Sequence, residues 1–361
     1  MSGPAAALVV SLNNLSAAVG PLTRLGRPAV SAVAIRIWPS WARAGAICHV
    51  APSALLPPLC ALGRAVILCC RTDFVPLLQT TVQVLTSALA SSPREGTPLL
   101  ELAATIVEVF CDQPGFESAF SSLLDQIASH VLPVLSGCGV VENAELATVL
   151  LTLVDLYCKF IVPALLASSS FPSLLGLSTN VLSTCRAPEP VLAAAELLAG
   201  AAMKARRIGV TSTAAGSAKG NPEAVEALQQ HMMHALSGPA GDALLRSLVS
   251  GLADTLPPAA VPRAADILCP LLHTHGWKPT LRAWAMAALT AVPMVDGVPD
   301  AATKEMVLNE LCNLPDAVTA NGIALDVVSR LRNVLNEFAR VCRRMDSAQP
   351  FEVAAYHWKS M

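Results

Sequence analysis

Two clusters in the sequence carry side chains that could hold a metal ion. His231 and His234, in HMMH, lie three residues apart and would share one face of a helix. Cys269, His273 and His275 form a C-x3-H-x-H pattern. A tetrahedral zinc shell needs three or four such ligands together. No nearby carboxylate or second cysteine pair completes either cluster, so both read as helix-surface and helix-end histidines, and no metal ligand is assigned. The catalytic patterns are also missing. There is no H-E-x-x-H and no G-x-S-x-G, and GSAKG lacks the spacing of a phosphate-binding loop. An enzyme needs a converging set of titratable or nucleophilic groups. None is evident, so the chain is expected not to be an enzyme, and no catalytic or cofactor-binding residue is assigned. One further pattern invites modification: Arg206 and Arg207 precede Thr211 and Ser212, as a basophilic kinase would require. An inert loop explains the same stretch.

If the residues converge on no reaction, the elements that carry them must supply surface. The chain has 361 residues, 53% of them apolar and only 14% charged, with aromatics at 4%. Charged residues make up roughly a quarter of an average soluble domain. Much of the apolar excess is alanine, the best helix former, and few aromatics argue against a sandwich or barrel. The eleven cysteines include no C-x-x-C pair and sit mostly in apolar helical stretches. That is how a reduced compartment uses cysteine, as a small hydrophobe.

The net charge of −2 hides an asymmetry. Residues 1–72 hold no Asp or Glu but six arginines (Arg24, Arg27, Arg36, Arg43, Arg64 and Arg71), which leaves −8 for the remainder. Such a start has the composition of a transit peptide. It reads better as internal helices, because it is long and lacks one clean apolar core with a cleavage site. The uncharged run from Phe160 to Cys185 exceeds the roughly 20 residues that span a bilayer, but Pro163, Pro172 and SSSF interrupt it. Membrane insertion is therefore not expected. Direct nucleic-acid binding is not expected either. It calls for a basic face with interleaved aromatics, whereas the basic patches after residue 72 are short: Arg206-Arg207, and Arg340 with Arg343-Arg344.

Periodicity predicts helices over about 5–18, 31–49, 54–70, 74–90, 98–111, 116–136, 144–162, 171–185, 188–206, 222–237, 241–256, 259–275, 278–291, 300–313 and 317–344. Asp73, Thr97, Asn143, Ser170, Asn221 and Asp300 are the expected N-caps, with Pro98 and Pro222 just behind two of them. In FVPLLQTTVQVLTSALASSPREGTPLLELAATIVEVF, Phe74, Leu78, Val82, Leu85 and Leu89 share one face, and Leu99, Leu102, Ile106, Val109 and Phe110 another. Two such helices leave apolar edges uncovered. Successive pairs begin near 74, 116, 171, 222, 259 and 300, at spacings of about 37 to 55 residues centred near the roughly 40–47 of a HEAT-type pair, without exact self-similarity. Each pair would bury its edges against the pairs before and after it. The expected fold is all-α, an α-α superhelix of HEAT/ARM-like repeats. Its segments are 1–72 (N-terminal helices), 73–206 (repeats), 207–221 (a flexible loop), 222–345 (repeats and a capping helix) and 346–361 (a tail).

The order of segments resembles a known family. DFVPLLQTTVQVLTSAL with PLLELAATIVEVF, ELATVLLTLVDLYCKFIVPALLASSSFPSLLGLSTNVL, GWKPTLRAWAMAALTAVP, ATKEMVLNELCNL and LRNVLNEFARVCRR are similar to the C-terminal half of nuclear transport receptors of the importin-13 and transportin-3 branch of the importin-β superfamily. The similarity runs over roughly residues 50–345. It implies a HEAT-repeat superhelix that binds protein cargo, with Ran GTPase and FG-nucleoporins as partners, in the nucleus and cytoplasm, without a cofactor. The family's N-terminal domain, with its main Ran contacts, has no counterpart in these residues: a fragment would correspond to the C-terminal cargo-side arch, whereas a full-length chain of this kind would not be expected to show canonical GTP-gated cargo release. No residue is assigned to cargo or partner contact. The rival reading is a HEAT-repeat protein-binding scaffold with no role in transport.

Overall fold

A computed structural model of the chain describes residues 4–22, 24, 26–136, 139–206, 227, 230, 239–274, 278–295, 297–313, 318–319, 322–323 and 325–344. The chain divides into two compact units, Met1–Leu174 and Leu175–Met361. The expected loop 207–221, almost all of the expected helix 222–237 with the caps Asn221 and Pro222, and the tail 346–361 lie outside the described residues.

The first unit contains α1 (Pro4–Leu22), α2 (Arg27–Ala46), α3 (Pro52–Cys70), α4 (Val75–Ser91), α5 (Thr97–Phe110), α6 (Glu117–Leu135), the short α7 (Gly139–Glu142), α8 (Ala144–Phe160) and α9 (Val162–Ala167). α10 (Phe171–Thr184) follows. The second unit continues with α11 (Pro188–Arg206), α12 (Pro239–Ser250), a π turn (Gly251–Thr255), α13 (Val261–Thr274), α14 (Lys278–Ala291), α15 (Ala301–Asn313) and α16 (Leu325–Cys342). α2, α3, α4, α5 and α9 all start with proline in the first turn. Proline presets the helical φ there, and its missing N–H costs nothing.

Several expected caps differ. Residues Arg71–Phe74 form a 3-10 turn, so Phe74 rather than Asp73 holds the cap position of α4, and Asp73 accepts a 3.2 Å bond from Ser31 Oγ. Thr97 is already helical, with Gly96 as its cap. Asn143 stands at the cap of α8 without capping it; its Nδ2 donates to Gly139 O instead. Asp300 does cap, accepting from the Thr303 N–H at 2.8 Å. The expected helix 317–344 is shorter. Val318–Thr319 and Gly322–Ile323 pair antiparallel before α16 begins. The pairing takes Val318, Thr319, Gly322 and Ile323 out of the expected helix.

In the first unit the helices stack in two rows. α1 packs on α3, α3 on α5 and α5 on α8; α2 packs on α4, α4 on α6 and α6 on α9. α1 to α4 each meet the helix two places on, and α5 and α6 the one three places on because the short α7 intervenes, which is how consecutive helix pairs cover each other's apolar edges. In the second unit α11 packs on α13 and α13 on α16, while α12 packs on α14 and α14 on α15. An aromatic chain runs through the first unit. Trp38 stacks on Trp41 at 4.4 Å and meets Phe74 edge-on at 4.8 Å, and Phe74 touches Phe110. The stretch Pro52–Ser91 is long and apolar enough to cross a membrane by composition alone. Here it is broken at Arg71, whose φ is +49°, and Leu59, Leu62, Val66 and Ile67 are buried in the stack.

Close approach makes one glycine sensitive. A Cβ on Gly45 of α2 would lie 2.2 Å from Val84 Cγ1 of α4, whereas a Cβ on Gly20 or Gly176 would meet nothing. Gly45→Ala is expected to destabilise by about 1–3 kcal/mol through overpacking. Gly176→Ala, on an exposed helical site, should gain about 0.5–1 kcal/mol. Urea midpoints of the two variants should move in opposite directions.

Candidate interaction surface

In the first unit α6 presents a polar stripe, Ser118, Ser122, Gln126 and Ser129, at helical spacing. With Ser121, Asp125 and Ala167 of α9 it lines an open groove of about 470 Å³. Gln126 Nε2 donates to Ser122 Oγ at 3.0 Å, which orients the amide along the helix. Such a groove offers hydroxyls, one amide and one carboxylate to a ligand. These groups suit a hydrogen-bonded polypeptide, but they include no nucleophile paired with a base.

Asp125 ties the groove to the chain that enters α10. Its Oδ1 accepts from Ser168 Oγ at 2.7 Å and from the Ser170 N–H at 3.0 Å, and its Oδ2 accepts from the Ser169 N–H at 3.4 Å. Ser170, an expected cap, thus receives its order from a carboxylate some 45 residues earlier. Partial desolvation pushes the carboxyl up, but the Ser168 and Ser170 bonds outweigh it and hold Asp125 below the usual carboxylate value. A carboxyl depressed by folding adds stability that is complete above its unfolded value. That stability is lost as pH falls through the folded value. Asp125→Asn should therefore flatten the loss of thermal stability below about pH 4. Thermal melts from pH 6 to pH 3 check this, and an unchanged acid limb would show that the three bonds carry no such weight.

α16 is fixed from both sides. Arg343, just past its end, donates to the carbonyls of Gly251 (3.1 Å), Leu252 (3.2 Å) and Leu256 (2.6 Å), clamping the π turn after α12. Burial lowers the Arg343 pKa. Asp266 of α13, almost fully buried, accepts from Arg332 Nη2 of α16 at 2.5 Å and from Arg263 Nη1 at 3.3 Å; Arg263 in turn lies 3.9 Å from Glu196 of α11. Arg330 meets Glu310 of α15. Arg340 pairs with Glu337 on its own helix. The arginines that the sequence offers as a basic patch thus include a clamp and an intrahelical pair.

The remaining candidates fall largely outside the description. His231, His234, His275, Arg207, Thr211 and Ser212 lie outside the described residues. Cys269 and His273 fall on α13 and Arg206 ends α11, with side chains outside the description. Among the described residues no three His, Cys, Asp or Glu side chains gather as metal ligands. Cys48 and Cys342 form no disulfide, and burial pushes their thiols up to about 11, so neither is a thiolate near neutral pH. Sequence reasoning missed Asp125 altogether and, for Arg343, read a basic patch rather than a clamp. Both act over long separations, through backbone groups that leave no spacing signature.

No family model matches the chain, and no curated protein matches its sequence. Among solved structures, one described as "Importin13 cytosolic state" superimposes with a TM-score of 0.63 at 14% identity, over 95% of this chain and 38% of that one. The chain has the helical-repeat fold of an importin. That likeness, a HEAT-repeat solenoid, agrees with the two-row stacking seen within the first unit. The chain spans well under half the length of the importin-13 chain it matches.

Proposed function

We propose that the chain is a nuclear transport receptor of the importin-13/transportin-3 kind, or part of one, and binds protein cargo for Ran-dependent passage between cytoplasm and nucleus. The observation that carries this reading is the likeness to an importin-13 structure over 95% of the chain. Stacked helix pairs support the mechanism physically. Each pair contacts only its neighbours, so small changes at each contact add along the row. A cargo and a GTPase that prefer different arrangements of the row would each shift it by their difference in affinity. The α6 groove, with its hydroxyls and single amide, gives a polypeptide places to bond.

Affinity capture from cell lysate tests the proposal, with and without GTP-loaded Ran. The expected result is a set of proteins bound without Ran and displaced by it, together with FG-nucleoporins. Capture of the same proteins whether or not Ran is present, with no nucleoporin, would replace this reading with a protein-binding scaffold outside transport.

A further inference from the structure

The outer face of α2 carries a stripe that the stack does not use. Val33, Arg36, Ser40 and Arg43 are all exposed, and so is Ile47 at the helix's C-terminal edge. The opposite face, Val30, Ala34, Trp38, Trp41, Ala44 and Gly45, is buried. The five exposed positions step by 3, 4, 3 and 4 residues, the spacing of a coiled-coil seam. They fall within roughly 80° of one another at 100° per residue. Val33 is 37% exposed and Ile47 49%.

The charges on this stripe are uncompensated. Arg36 and Arg43 form no ion pair among the described residues; Arg43 reaches only Ser40 Oγ, at 3.1 Å. Residues 1–72 contain no carboxylate side chain at all. The carboxylate that reaches α2 is Asp73, bonded to Ser31. Ser31 lies roughly 120–140° around the helix from the arginines. Two arginines seven residues apart stand about 10.5 Å apart along the axis, two helical turns.

We propose that this face docks an acidic amphipathic helix of a protein partner, with two carboxylates seven residues apart meeting Arg36 and Arg43 and aliphatic side chains meeting Val33 and Ile47. The argument is charge and spacing complementarity: a 3-4 seam fits a helix, and paired guanidinium groups fit carboxylates in forked geometry. The same features disfavour nucleic acid, since the tryptophans of α2 are buried and offer no ring on which bases could stack. They also disfavour a lipid surface, because an interfacial helix turns its aromatic and largest apolar side chains to the bilayer, and Trp38 and Trp41 of α2 are turned into the protein.

The test uses the full chain and a fluorescein-labelled 18-residue helical peptide, with Glu at two positions seven apart and Leu one turn outside each. Fluorescence anisotropy should show saturable, salt-sensitive binding. Arg36→Glu/Arg43→Glu should weaken it at least tenfold, with the melting curve unchanged because both side chains are exposed. A peptide with Lys at the two Glu positions should restore binding to that double variant. Failure of the acidic peptide to bind the wild-type chain, equal binding by the double variant, or no rescue by the Lys peptide would overturn the proposal. So would tighter binding of phosphatidylserine vesicles or of oligo(dT), each lost in the same variant.

Discussion

Trp38→Ala should cost about 3–5 kcal/mol, the range for deleting a large buried aromatic side chain. Trp38 is 1% exposed. It stacks on Trp41, meets Phe74 edge-on and donates its Nε1–H to Thr81 Oγ1 at 3.1 Å, so it joins α2 to α4 and to the turn before it. Trp38→Phe should cost much less. It keeps a ring in the stack, and Thr81 still donates to Leu77 O, so no buried donor is orphaned. In a stack of nearest neighbours the damage should also be local. Hydrogen exchange should speed up over residues 27–91 and stay unchanged over 239–342. A loss below about 1 kcal/mol, far under the range for such a deletion, or faster exchange throughout, would contradict this packing.

Asp266→Ala should be the second costly change. The Asp266 side chain is 5% exposed and serves Arg332 and Arg263, whose side chains remain 42% and 45% exposed. Breaking a fully buried pair costs about 3–5 kcal/mol. Here the orphaned guanidinium groups can reach water, which lowers the expected loss to about 2 kcal/mol. Arg332 Nε is already buried without a partner, so the site has little spare compensation. A double-mutant cycle with Arg332→Ala should give a coupling of roughly 1 kcal/mol, as contacting charged residues do. Additive losses would mean that the contact does not hold α13 to α16.

Much of the scaffold was legible in the sequence, because apolar side chains at helical spacing leave a periodic trace. Leu85 and Leu89 on α4, Phe74 in the turn before it, and Leu99, Leu102, Ile106 and Phe110 on α5 are buried as the periodicity predicts, while Leu78, Val82 and Val109 are half-buried. Helix starts were less legible. Pro98 marked the start of α5, but the prolines that open α2, α3, α4 and α9 were not read as starts, and Asp73 and Asn143 had the right residue type but found partners other than the N–H groups they were expected to cap. The hairpin before α16 was hidden because it is only two residues deep on each side. The interaction surface was legible only as absence. The lack of catalytic patterns pointed to surface chemistry, but not to α6 or Asp125. Those depend on Ser168–Ser170 coming back across the stack, a long-range contact that no local spacing encodes.

The transport reading is tested most directly by partition of the labelled full chain into a gel of FG-repeat nucleoporin, beside an inert protein of the same 37.5 kDa mass. The account predicts marked enrichment of the chain over the inert protein, together with faster entry into nuclei of permeabilised cells. Partition no greater than that of the inert protein would contradict it.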